Sequence, residues 1–136
     1  MRLFILDTGI AGLYVTRRRG VYARAQIEAA RGNRVGICVP VLGELYAGVE
    51  GSATRAHNLL LLERALASLR VWPYTTAAAE EYGRLDAYLR GNGRLIQQVD
   101  VQIAAIAFTL GNCTVVTTDS DFAAVPGLSV ESWATP

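Results

Sequence analysis

Asp7, Glu44, Asp100 and Asp119 are the residues of this sequence whose types and settings could do chemistry together. Asp7 directly follows the apolar run Leu3–Leu6. Glu44 lies early in Val41-Leu42-Gly43-Glu44-Leu45-Tyr46, Asp100 opens Asp100-Val101-Gln102-Ile103-Ala104-Ala105, and Asp119 follows the β-branched run Thr114–Thr117 with Asp121 two residues on. Carboxylates brought together without a counter-charge repel one another. A hard cation with oxygen ligands, Mg²⁺ or Mn²⁺, resolves that conflict. Beside a phosphodiester, such a cation activates water and neutralises charge on the phosphate.

The elements that would position these acids alternate in type. Strands are expected at Leu3–Leu6, Val35–Val39, Val71–Tyr74, Thr114–Thr117 and Leu128–Val130. Helices are expected over residues 8–18, 21–31, 40–49, 54–69, 76–90 and 100–110, with Pro40 in a first turn where its missing N–H costs nothing. Continuously apolar strands separated by helices predict an α/β fold, a parallel sheet covered on both faces. Ligands bind such sheets beyond the carboxyl ends of the strands. Asp7 and Asp119 fall there because each follows a strand. Glu44 and Asp100 fall there because each begins, or nearly begins, a helix running back from that rim. Each acid taken singly has a structural reading: Asp7 and Asp100 can cap helices and Asp119 can start a turn.

Composition narrows the choices. The chain has 136 residues, the length of a single domain over 1–136, with a net charge of +1 that supplies no global field toward nucleic acid. All 13 basic residues are arginine, so mechanisms that need a lysine are excluded. That removes receiver domains and haloacid-dehalogenase-type phosphatases, which also place an Asp after the first strand; the latter need a second Asp where Gly9 stands. There is no Gly-x-x-x-x-Gly-Lys loop and no Gly-x-Gly-x-x-Gly turn, so no nucleotide cofactor is expected. His57 has no partner motif. Cys38 and Cys113 lie in or beside apolar runs and read as reduced core residues, which suits the cytoplasm. The first apolar run is too short for a signal peptide and no later one could span a membrane.

The pieces Phe4-Ile5-Leu6-Asp7-Thr8, Val41-Leu42-Gly43-Glu44-Leu45, Asp100-Val101-Gln102-Ile103-Ala104-Ala105 and Thr118-Asp119-Ser120-Asp121-Phe122, with Val125-Pro126-Gly127-Leu128 and Trp133 behind them, together resemble the PIN-domain nucleases. They look most like the VapC-type toxins of toxin–antitoxin modules, over nearly the whole chain. The resemblance implies a three-layer PIN-like fold with strand order 3-2-1-4-5. It implies Mg²⁺, with Mn²⁺ as a substitute, held by Asp7, Glu44, Asp100 and Asp119, with Thr8, Thr118 and Asp121 in support. It implies cleavage of single-stranded or loop RNA, a homodimer and a cognate antitoxin. One departure is Gly9, where the family commonly has Asn or Ser to hydrogen-bond near the metal.

Two alternatives stay beside this reading: an RNA-processing nuclease of the same family without an antitoxin, and an interaction module whose acids are structural. Arg94, shortly before Asp100, is the expected RNA contact, because a guanidinium fork suits phosphate oxygens. Arg17, Arg18 and Arg19 end a helix that leads away from the rim and read rather as a solvated helix end. The row Leu59–Leu62 covers more than one helix face and points to a second copy of the chain.

Overall fold

A computed structural model describes residues 1–136. In chain order the elements are β1 (Leu3–Leu6), α1 (Thr8–Thr16), α2 (Val21–Ala30), β2 (Arg34–Cys38), α3 (Val39–Glu50), α4 (Arg55–Leu66), β3 (Arg70–Trp72), α5 (Thr76–Gly91), α6 (Gln98–Leu110), β4 (Cys113–Val116) and β5 (Ser129–Glu131). The five strands form one sheet in the order β3-β2-β1-β4-β5, parallel at every pairing. This is the order the resemblance implies.

The central strand shows why its sequence lacks alternation. Phe4, Ile5 and Leu6 are all completely buried, because helices cover both faces of β1. Connections to β2 and β3 step one way from β1 and those to β4 and β5 step the other. With right-handed crossovers this sends α1–α4 to one face and α5 and α6 to the opposite one. The main core gathers around Phe4, Ile5, Leu6, Ile37, Ile103 and Val116. A smaller one, with Leu85, Leu89, Val101, Ala104, Ala105 and Val125, seals α5 against α6.

Several boundaries differ from the sequence expectation for identifiable reasons. α1 stops at Thr16, two residues early, because Arg17 turns left-handed (φ 55°) and its N–H closes onto the carbonyls of Leu13 and Tyr14. α4 stops at Leu66, not at residue 69. α6 starts at Gln98, so Asp100 lies inside its first turn. Within Leu59–Leu62, Leu62 is buried while Leu60 is 65% exposed, so the surplus apolar surface is concentrated in one side chain.

Register is enforced at one glycine. Gly36 of β2 pairs with Arg70 of β3, and a Cβ at residue 36 would lie 2.4 Å from the Arg70 carbonyl oxygen. Backbone cannot yield as a flexible side chain can. Gly36→Ala is therefore expected to destabilise the fold by about 2 kcal/mol or more, read as a lower urea midpoint. An unchanged midpoint would show that β3 can move away freely.

Both cysteines are free thiols. Burial pushes Cys38 up to about 11 and Cys113 up to about 12, so neither supplies a thiolate at neutral pH. No helix is long and apolar enough to cross a membrane.

Candidate active site at the carboxyl edge of the sheet

Asp7 owes its place to strand register. Leu6 of β1 pairs with Val116 of β4, so the chain leaves both strands at one level, with Asp7 beside Thr117. Asp7 is the N-cap of α1: its Oδ1 accepts the Ile10 N–H at 2.9 Å. Its Oδ2 accepts the Thr117 hydroxyl. Thr117 Oγ1 in turn accepts the Asp119 N–H at 2.9 Å, which commits the hydroxyl proton to Asp7. Asp119 then accepts the Asp121 N–H at 2.9 Å, starting the 3₁₀ turn Ser120–Ala124. One chain of hydrogen bonds thus links three acidic positions and freezes the loop after β4.

Glu44 projects from α3, one and a half turns from its start, and its Oε1 accepts the Thr8 hydroxyl. Asp100 enters from the first turn of α6, on the other side of the sheet. Carboxylate oxygens of Asp100, Asp119 and Asp121 all lie within 4.8 Å of one another. Asp7 and Glu44 stand outside that tightest group but close enough to act on it.

The electrostatics record the crowding. Desolvation, with the charges of Asp119, Asp7, Glu44 and Asp121, pushes Asp100 up to about 6. Asp7 is also raised, chiefly by burial and further by Asp119 and Glu44, against the lowering effect of Thr117 and Ile10. Oxygen donors from separate elements, held at a cost in proton affinity, match the preferences of Mg²⁺ or Mn²⁺.

The supporting residues fall out unevenly. Thr8 meets Glu44 as described, whereas Thr118 is exposed and its hydroxyl makes no hydrogen bond; its neighbour Thr117 meets Asp7. Sequence reasoning missed Thr117 because only the pairing of β4 with β1 shows which threonine turns toward Asp7. Gly9 leaves room beside Asp7 Oδ1, 3.9 Å from where its Cβ would be. The hydrogen bonds from Ile10 and Thr117 orient Asp7 without a side chain there. Arg94 reaches Asp121 Oδ1 at 3.7 Å, with both side chains about half exposed. His57 is an exposed residue of α4.

Thr117→Val removes both the donor to Asp7 and the acceptor for the Asp119 N–H. Partners behind metal ligands are commonly worth 10- to 100-fold in affinity, so Mn²⁺ binding by calorimetry is expected to weaken about tenfold. Thr117→Ser, which keeps the hydroxyl, is expected to restore it. Equal affinity in the valine and serine variants would leave Thr117 a packing residue.

An all-parallel sheet edged by acids from the start of α1, from α3 and α6 and from the loop after β4 defines an α/β domain with a carboxylate-lined rim. A model of the PIN domain family matches residues 4–128. The chain is 31% identical over 135 residues to Ribonuclease VapC2 of Haemophilus influenzae, covering 98% of this chain and 99% of that one. VapBC2 from Rickettsia felis, solved with a DNA fragment from its promoter, matches with a TM-score of 0.89 and 28% identity, over 96% of this chain and 98% of that one. VapBC-5 of Mycobacterium tuberculosis, a member of the VapBC family of toxin–antitoxin systems, matches with a TM-score of 0.70 and 32% identity, over 99% and 100%. The chain belongs to the PIN domain family, on the branch of the VapC ribonucleases.

Proposed function

We propose that this protein is a divalent-metal-dependent endoribonuclease that hydrolyses single-stranded or loop RNA, and that it is the toxin of a toxin–antitoxin pair acting in the cytoplasm. The observation that carries the reading is the convergence of Asp100, Asp119 and Asp121 within 4.8 Å, with Asp7 and Glu44 facing them, on a PIN domain. Asp7, Glu44, Asp100 and Asp119 would hold the cation, with Asp121 beside them. Mg²⁺ or Mn²⁺, when bound, lowers the pKa of water and offsets phosphate charge.

The chain's own residues limit the route. Attack by the RNA 2′-hydroxyl needs a base at the rim, and the carboxylates there are the groups that would hold the cation. Cys38 is a buried thiol raised to about 11, and His57 is exposed on α4. Water is the remaining nucleophile, and in-line attack expels the 3′-oxygen of the preceding nucleotide. Products with 5′-phosphate and 3′-hydroxyl ends are expected, formed with Mg²⁺ and not with EDTA. Cyclic 2′,3′-phosphate ends, or full cleavage in EDTA, would overturn the proposal.

Arg94 is proposed to release Asp121 and bind RNA phosphate, since at 3.7 Å and half exposed that ion pair is weak. The antitoxin is proposed from the toxin–antitoxin complex among the structural matches. A homodimer is proposed from the 65% exposure of Leu60.

A further inference from the structure

We propose a second RNA-binding surface at the far end of α1, where Arg17, Arg18 and Arg64 dock the phosphate backbone of the substrate; this rests on the ribonuclease reading. α1 starts at the acidic rim and runs back along the sheet, so its nine residues and two caps put Arg17 about 15 Å from Asp7 along the helix axis. Arg64, in the last turn of α4, reaches the Val15 carbonyl at 3.5 Å and lines one small cleft with Arg17, Tyr14 and Tyr22. None of the three arginines has a carboxylate within salt-bridge distance, whereas Arg2, Arg24, Arg31, Arg55, Arg84 and Arg90 all do. Carbonyls at the ends of α1 and α4 offset part of the mutual repulsion.

The turn that carries this charge is built rather than loose. Arg17 and Arg19 both adopt left-handed backbone (φ 55° and 53°), which side chains other than Gly and Asn seldom do. Arg19 explains its own geometry by a reciprocal clamp: its Nε–H donates to the Thr135 carbonyl at 2.7 Å, and the Thr135 N–H donates to the Arg19 carbonyl at 2.8 Å. The Arg17 guanidinium sits over the Tyr22 ring, 4.1 Å from its centroid. Arg18, between them, is left exposed and unpaired. A preorganised turn of this kind loses little freedom on binding.

The active rim gives such a surface a purpose: until a cation is bound it carries the same sign as the substrate, and its one nearby arginine, Arg94, is shared with Asp121. With a net charge of +1, attraction for a polyanion must come from a local patch. Guanidinium forks match phosphate and carboxylate oxygens alike; what favours RNA is the acidic rim on the same chain, whose proposed substrate is a polyanion that must be held nearby.

The test is binding of a labelled stem–loop RNA, in the cleavage-deficient Asp7→Asn background so that binding is read alone. Arg17→Asn, which keeps a residue tolerant of the left-handed turn, is combined with Arg18→Gln and Arg64→Gln, and folding is checked by thermal melting. We expect RNA affinity at low salt to fall about tenfold and the slope of log affinity against log salt to shrink by about 2, since each phosphate contact contributes nearly one unit. Arg55→Gln, Arg84→Gln and Arg90→Gln together, an equal loss of three charges at paired sites on α4 and α5, are expected to leave the slope in place. An unchanged slope in the triple variant overturns the proposal. Poly-glutamate binding the unsubstituted patch as tightly as RNA also overturns it, in favour of an acidic protein partner. Cleavage by the wild-type protein is scored separately: its absence sinks the ribonuclease reading, while the salt slope still decides the surface.

Discussion

Asp7→Asn is expected to reduce Mg²⁺-dependent RNA cleavage by roughly a thousandfold or more, equivalent to about 4 kcal/mol of barrier, while leaving the protein folded. Asparagine can still cap α1 through its side-chain oxygen to the Ile10 N–H, so the helix keeps its start. What disappears is one negative charge on a side chain only 8% exposed, where desolvation already raises the carboxyl's proton affinity. The melting temperature without metal should therefore hold steady or rise. Loss of activity with loss of fold would make Asp7 structural, and retained activity would remove it from the site. Mn²⁺ titration of the same variant separates a failure of metal binding from a failure later in the reaction.

The second large effect is a pH dependence set by Asp100. Its folded pKa of about 6 lies above the unfolded value of 3.8, so the folded state holds this proton more tightly. Stability from that proton is complete below pH 3.8 and is lost as pH rises through about 6. Metal-free protein should thus be less stable at pH 7.5 than near pH 4.5 as far as this group is concerned. Asp100→Asn should raise stability at pH 7.5 in EDTA by about 1 to 3 kcal/mol, the lower end reflecting solvent screening of a partly exposed group. The raised Asp7 leaves a smaller slope of the same sign in that variant. Metal reverses the order: cation and proton compete for the same oxygens, so Mg²⁺ affinity and cleavage at subsaturating Mg²⁺ should climb through pH 6 and level off above it. Urea denaturation across pH, with EDTA and with Mg²⁺, measures both halves. Curves that coincide with and without metal would show that the acidic rim does not bind the ion.

The sequence was readable where local physics controls the outcome. Apolar runs of strand length and amphipathic segments of helix length follow from burial, which is why all five strands and six helices lie close to where the periodicity puts them. Parallel pairing followed from strands lacking alternation, since Phe4, Ile5 and Leu6 can all be apolar only if both faces are covered. The placement of Asp7, Glu44, Asp100 and Asp119 at one edge of the sheet follows from the same logic, because each acid stands where the chain turns at that edge.

What the tertiary structure decided are matters of register and angle. Whether Thr117 or Thr118 meets Asp7 depends on the pairing of Leu6 with Val116, two residues far apart in the chain, and a slip of one residue would exchange the two threonines. That Asp121 joins Asp100 and Asp119 in one group within 4.8 Å depends on the 3₁₀ turn that begins at Ser120, a geometry set by the Asp119 side chain accepting the Asp121 N–H. The end of α1 at Thr16 is closed locally by Arg17, but the left-handed Arg19 of the exposed arginine turn is held by a tail more than a hundred residues away. Such contacts join segments whose separation along the chain carries no periodic signal, so composition and spacing determine the elements and the edge, and only packing determines which atoms meet there.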